Sequence, residues 1–151
     1  MTQRILFVCL GNICRSPSAE AVVRAKAEAR GVDLHLDSAG TGDWHVGEPP
    51  YGPMQKAGAA RGYDLAPLRA RQAERADFDR FDLILAMDAQ NRADLEAIAP
   101  AEARARLEMF TDYLPAGEAD HVPDPYHTRD FDGALDLIER AADGLLDRLR
   151  G

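Results

Sequence analysis

Residues Leu83-Ile84-Leu85-Ala86-Met87 form an unbroken apolar run. A strand with one wet face alternates apolar and polar side chains; a strand that never alternates is buried on both faces. Further runs stand at Ile5 to Leu10, Val32 to Ala39 (weaker) and Leu107 to Phe110. Between them the apolar spacing changes to helical, around Ser18–Arg30, Pro53–Arg61 and Gln90–Ala97. Ser16-Pro17 is a sound helix start and Gly31 a sound stop. The last helix is the clearest: Phe131, Leu135, Ile138, Ala142, Leu145 and Leu149 form one stripe facing a core. This alternation of strand and helix predicts an α/β fold with a parallel sheet, right-handed crossovers and helices on both faces. A chain of 151 residues fits one domain, 1–151, with a real core.

Composition narrows the function classes. Apolar residues are 46% of the chain, too many for a disordered one. No stretch approaches the roughly 18 apolar residues of a membrane span. Met1-Thr2-Gln3-Arg4 leads straight into the first strand, so no leader is expected. The two cysteines, Cys9 and Cys14, flank one short loop, which is no scaffold of structural disulfides; a reduced, cytoplasmic protein is the expectation. The net charge of −8 argues against nucleic acid, which calls for a basic face. It also means that a phosphate substrate must be attracted locally.

The local attraction is in Cys9-Leu10-Gly11-Asn12-Ile13-Cys14-Arg15-Ser16. The segment joins the first strand to the first helix, at the carboxyl edge where such sheets bind ligands. Loop amides and the positive end of the helix favour an anion there, and the same field favours the Cys9 thiolate. The functional reading is attack by Cys9 on phosphorus, giving a cysteinyl-phosphate intermediate. Arg15 would grip two oxygens through its planar fork. Gly11 and Asn12 suit left-handed backbone, the Asn12 amide can brace the loop, and Ser16 can donate to the sulfur. A cysteine serving only as core filler is the bland alternative, and the strand–loop–helix context speaks against it. A zinc site from Cys9, Cys14, His121 and His127 matches no common ligand spacing, so no metal is expected.

Val8 to Pro17 resembles the signature loop of low-molecular-weight protein tyrosine phosphatases. Ser38-Ala39-Gly40-Thr41, Asp43-Trp44-His45-Val46-Gly47, Ala70-Arg71-Gln72, Met87-Asp88 and Asp124-Pro125-Tyr126 follow in family order. The resemblance implies a single three-layer α/β/α domain with a four-stranded parallel sheet and the phosphate loop between first strand and first helix. It implies phosphomonoester hydrolysis without metal or cofactor, with phosphate or sulfate fitting the cradle. It makes Asp124 the proton donor to the leaving group, in a loop stiffened by Pro125. Asp124 must then be protonated while Cys9 is thiolate, which predicts a bell-shaped pH profile with a mildly acidic optimum. The resemblance also gives Leu10, Gly11, Asn12, Ile13, Cys14 and Ser16 to the phosphate loop, and sets Trp44, His45, Tyr126 and His127 around its mouth. Ser38 becomes a support; Cys14 is either loop packing or, as the resemblance implies, a redox partner able to trap oxidised Cys9.

Two positions depart from the family pattern. Leu68 stands where a histidine usually braces the cradle asparagine, so Asn12 and Ser38 are expected to lose a partner, with water or Arg69 as substitute. Tyr51-Gly52-Pro53-Met54 lacks the usual Asp-Pro-Arg-like element. Among rivals, arsenate reductases of this fold need further cysteines. Protein-arginine phosphatases tend to carry Thr where this chain has Ile13, and an apolar residue favours an aromatic phosphoester. A phosphotyrosine protein or peptide is the implied substrate, with a bacterial tyrosine kinase or a host protein as partner.

Overall fold

The computed structural model describes residues 2–150. Strand β1 (Gln3–Cys9) is followed by α1 (Arg15–Arg30), β2 (Leu34–Gly40), α2 (Gly52–Ala60) and the single turn α3 (Asp77–Arg80). Then come β3 (Leu83–Ala86), α4 (Ala89–Ile98), β4 (Arg106–Met109), a 3-10 turn (Phe110–Tyr113), α5 (Pro125–Thr128) and α6 (Phe131–Arg150). The four strands make one sheet in the order β2-β1-β3-β4, and every pairing is parallel. This is the α/β/α architecture expected from the alternating pattern. The short helices α3 and α5 carry too little apolar periodicity to be seen in advance.

The unbroken strands are covered on both sides. Ile5, Phe7, Leu83 and Leu85 belong to a core shared with α1, α2 and α6. Leu6, Val8, Ile84 and Ala86 face a second core with Phe78, Phe81 and Leu95. Register decides this: Ile5 pairs with Leu83 and Leu6 with Ile84, so successive side chains point to opposite layers. Phe7 meets Phe110 edge-on with centroids 5.4 Å apart, and burying one such ring contributes about 1.5–3 kcal/mol. In α6, Leu135, Ile138, Ala142 and Leu145 are fully buried, as the stripe requires. Helix α1 stops at Gly31, whose left-handed backbone (φ 70°) lets Val32 N–H reach the Ala27 carbonyl at 2.9 Å.

Strand β1 has β2 on one side and β3 on the other, so the chain changes winding direction there. Such a switch point opens a crevice beyond the strand ends. Cys9 ends β1, and Asp88 lies two residues beyond β3.

Candidate active site

The loop between β1 and α1 wraps around its own sulfur. Asn12 is left-handed (φ 56°) and directs its N–H at Cys9 Sγ, 3.3 Å away. Ser16 Oγ lies 3.0 Å from the same sulfur. Gly40 of β2 permits the loop to pass closely, because a Cβ there would stand 2.7 Å from the Leu10 carbonyl oxygen. Hydrogen-bond directions follow by elimination. Arg71 N–H donates to Asn12 Oδ1 at 3.0 Å, which fixes the orientation of that amide. Asn12 Nδ2 then donates to Ser16 Oγ (2.7 Å) and to Ser38 Oγ (3.0 Å). Ser16 therefore keeps its own proton for Cys9 Sγ or for the Ala39 carbonyl at 3.3 Å. The Ser38 hydroxyl donates to Glu20 Oε1 at 2.8 Å, and Glu20 Oε2 accepts from Arg24 at 2.6 Å.

This corrects the expectation drawn from Leu68. Arg69 does not replace the missing histidine: it is exposed and donates to the carbonyls of Ala66 and Leu68 in its own turn. The partner for Ser38 comes from α1 instead. Register places Ser38 opposite Phe7, on the face that α1 covers, and there it meets the buried Glu20.

Arg15 opens α1 and is only 3% exposed. One terminal nitrogen donates to Asp88 Oδ2 (2.7 Å) and to the Val122 carbonyl (3.1 Å); the other lies 3.5 Å from Asp124 Oδ2. Burial works against its charge, but Cys9, Asp88 and Asp124 more than offset this, and its pKa is raised. Its Nε has no partner. A buried N–H left unpaired costs about 1–3 kcal/mol. Burial, with the charges of Cys9 and Asp124, pushes the Cys14 thiol up to about 12.

Asp124 has the extended backbone expected before proline, and Pro125 then opens the one-turn helix α5. The Asp124 carboxylate caps that turn by accepting Tyr126 N–H at 3.1 Å. One cleft is lined by Cys9, Leu10, Gly11, Ile13, Cys14, Arg15, Trp44, His45, Asp124, Tyr126 and His127. Asn12, Ser16 and Ser38 stand behind its wall as buried supports. Trp44 is 69% exposed and Tyr126 45%. The Trp44 indole folds back over Gly42, where a Cβ would come within 2.2 Å of the ring. His45 packs on Gly11 and pairs through Nδ1 with Glu48 at 2.9 Å. Among the described residues no cluster of three His, Cys, Asp or Glu is placed to hold a metal ion.

The family described as "Low molecular weight phosphotyrosine protein phosphatase" matches over residues 4–151. The chain is 44% identical to the low molecular weight protein-tyrosine-phosphatase of Streptomyces coelicolor, over 99% of this chain and 95% of that one. The chain belongs to the low molecular weight protein tyrosine phosphatase family. It is therefore a phosphatase, with phosphoprotein as its class of substrate. The crystal structure of YfkJ from Bacillus subtilis has the same fold at TM-score 0.94 and 38% identity, covering 99% of this chain and 96% of that one. A Drosophila arginine phosphatase superimposes at TM-score 0.92 with 30% identity, covering 97% and 98%. The fold is thus shared by phosphatases of different substrates, and substrate must be argued from the site.

Sequence reasoning gave no role to Asp88, Glu20 or the Arg71 backbone, all of which hold this phosphatase's cradle. Asp88 carried a signal, since it follows a buried strand at the ligand edge. Glu20 carried another: an acid beside Ala19, Ala21, Val22 and Val23 has to be paired if that face is buried.

Proposed function

We propose that this chain hydrolyses phosphotyrosine through a cysteinyl-phosphate intermediate, and that residues 1–151 act as one phosphatase domain. The observation that carries the reading is Arg15: a buried guanidinium, fixed by Asp88 and Val122, lining the same cleft as Cys9. In the first step the Cys9 thiolate attacks phosphorus, the S–P bond forms and the P–O bond breaks. Asp124 delivers its proton to the departing phenolate oxygen. In the second step the Asp124 carboxylate takes a proton from water. The water oxygen attacks phosphorus, the S–P bond breaks, and Cys9 returns as thiolate with inorganic phosphate released. Arg15 and the loop amides neutralise the equatorial oxygens, the task that a metal performs in other phosphatases. Trp44, His45 and Tyr126 offer flat walls to the phenyl ring, and His127 flanks them.

The Drosophila neighbour keeps arginine phosphate as a second reading. The buried Ile13 in the cleft favours the aromatic ester. Two thiols, both in the loop, do not provide the relay of an arsenate reductase. The deciding experiment compares kcat/KM on a phosphotyrosine peptide, a phosphoarginine peptide and arsenate. Phosphotyrosine should be preferred, and Cys9→Ser should turn over none; preference for phosphoarginine overturns the assignment. A Cys9→Ser or Asp124→Ala trap should retain a tyrosine kinase or a host phosphoprotein. Both free thiols are buried, which supports a reducing, cytoplasmic setting. Cys14 is the proposed resolving thiol: Cys9 sulfenic acid and the Cys14 thiol condense to a disulfide and water. Thiol reversal of peroxide inactivation should then disappear in Cys14→Ser; equal recovery in both proteins removes that role.

A further inference from the structure

Tyr51 sits where the family's usual Asp-Pro-Arg-like element is missing, and no role follows from the resemblance. It is the residue before α2, and its N–H donates to the Ile13 carbonyl of the cradle at 2.8 Å. Its ring lies 5.1 Å from the Tyr126 ring and 6.1 Å from Phe131. Its hydroxyl accepts from Arg129 at 3.0 Å, and the Arg129 guanidinium stands 5.4 Å from the Tyr51 centroid and 5.3 Å from that of Phe131. Tyr51 thus touches the cradle through its backbone and the far end of the Asp124 loop through its side chain.

That loop needs outside support. Helix α5 has four residues, and a single turn does not hold itself in water. Arg129 closes it in left-handed backbone (φ 63°), a conformation costing a non-glycine residue about 1–2 kcal/mol. The only other described non-glycine residue with positive φ is Asn12, in the cradle. A strained residue persists where its surroundings hold it: the Arg129 N–H donates to the Pro125 carbonyl at 2.9 Å, and the Tyr51 hydroxyl and two ring faces hold its side chain.

We propose that Tyr51 and Arg129 form a latch that positions the Asp124 carboxyl over the cradle, so that both are positioning residues for leaving-group protonation. The proposal rests on the role given to Asp124 above. Tyr51→Phe removes the hydroxyl and keeps the packed ring. Arg129→Gly removes the guanidinium and takes the positive φ without strain, so the loop stays foldable.

The test measures kcat/KM on phenyl phosphate and on 4-nitrophenyl phosphate, whose more acidic leaving group depends less on a proton. Each variant should lose about tenfold on the phenyl ester, the scale of one hydrogen bond to a charged group, and about twofold on the nitrophenyl ester. The double variant should lose no more than the worse single one, because both remove the same bond. Arg129→Lys, which keeps a cation and a donor, should recover part of the loss. Independently of turnover, amide exchange at His127, Thr128 and Arg129 should quicken in Tyr51→Phe while the cradle amides hold. Equal losses on the two esters, multiplying losses in the double variant, or unchanged exchange overturn the latch. If Asp124→Ala itself treats the two esters alike, the acid assignment falls, and the exchange result still decides the latch.

Discussion

The two halves of the proposed catalytic cleft are built differently. The cradle, Cys9 to Ser16, is continuous with a buried strand and the first turn of a 16-residue helix. Its supports, Asn12, Ser16, Ser38 and Glu20, are buried and each has its hydrogen-bond partners. The loop of the proposed acid, Asp124 to Arg129, is one turn, buried at Pro125 and exposed beyond it, with Tyr51 and a long contact to Arg15 supporting it. Oxyanion stabilisation gains most from groups that do not reorganise during the reaction. The proton donor proposed in Asp124 would act on a leaving group that must enter and depart, so a loop over the cleft suits it. The cradle's damage should therefore fall on all substrates alike, and the acid loop's on those with poor leaving groups.

The largest break in that contrast is Asp124→Ala. It should lower kcat/KM on phenyl phosphate by about 10²–10³-fold, within the range of general acid catalysis, and spare the nitrophenyl ester by comparison. Parallel losses on both esters would merge the two halves into one. Glu20→Ala attacks the other half at its outermost support, leaving Ser38 without its acceptor and Arg24 with only the Leu36 carbonyl at 3.3 Å. Both esters should lose equally, by about three- to tenfold, with a stability loss of about 1–3 kcal/mol. Thermal melts should show it as roughly 2–4 °C per kcal/mol. An ester-dependent loss would contradict the division.

Gly42→Ala probes the wall between the halves. A Cβ there displaces the Trp44 indole, so KM for a phosphotyrosine peptide should rise about three- to fivefold with kcat held, as expected for loss of uniform binding. A fall in kcat instead would give Trp44 a part in the chemistry. The smallest effect concerns Cys14. Its thiol moves from 9.0 in the unfolded chain to about 12 in the fold. Below pH 9 both states hold the proton and stability is untouched. Between about 9 and 12 the unfolded chain sheds it and the folded chain does not, so stability falls as pH rises. Cys14→Ala should show a flatter alkaline limb in denaturant melts; identical slopes would mean that the thiol is not buried as described.

Much of the proposed site is legible in the sequence because a loop of this kind is local. Cys9, Gly11, Asn12, Arg15 and Ser16 fall within one strand–loop–helix crossover, and backbone chemistry links them without regard to the rest of the chain. The edges of the elements were less exact. Helix α1 begins at Arg15, three residues before the expected Ser18, which puts the guanidinium on the first helical turn. Helix α5 is legible in the sequence only as a loop stiffened by Pro125, since four residues show no period.

By itself the sequence determined the layered α/β plan, through runs that never alternate, and the phosphate loop, through residues close in the chain. The tertiary structure alone decided what stands behind and above that loop. Glu20 reaches Ser38 because register turns Ser38 toward α1. Asp88 reaches Arg15 because β3 lies beside β1. Tyr51 reaches Arg129 across 78 positions of chain. None of these pairs has a sequence period to announce it: each exists because strand order and register bring distant residues within hydrogen-bond reach.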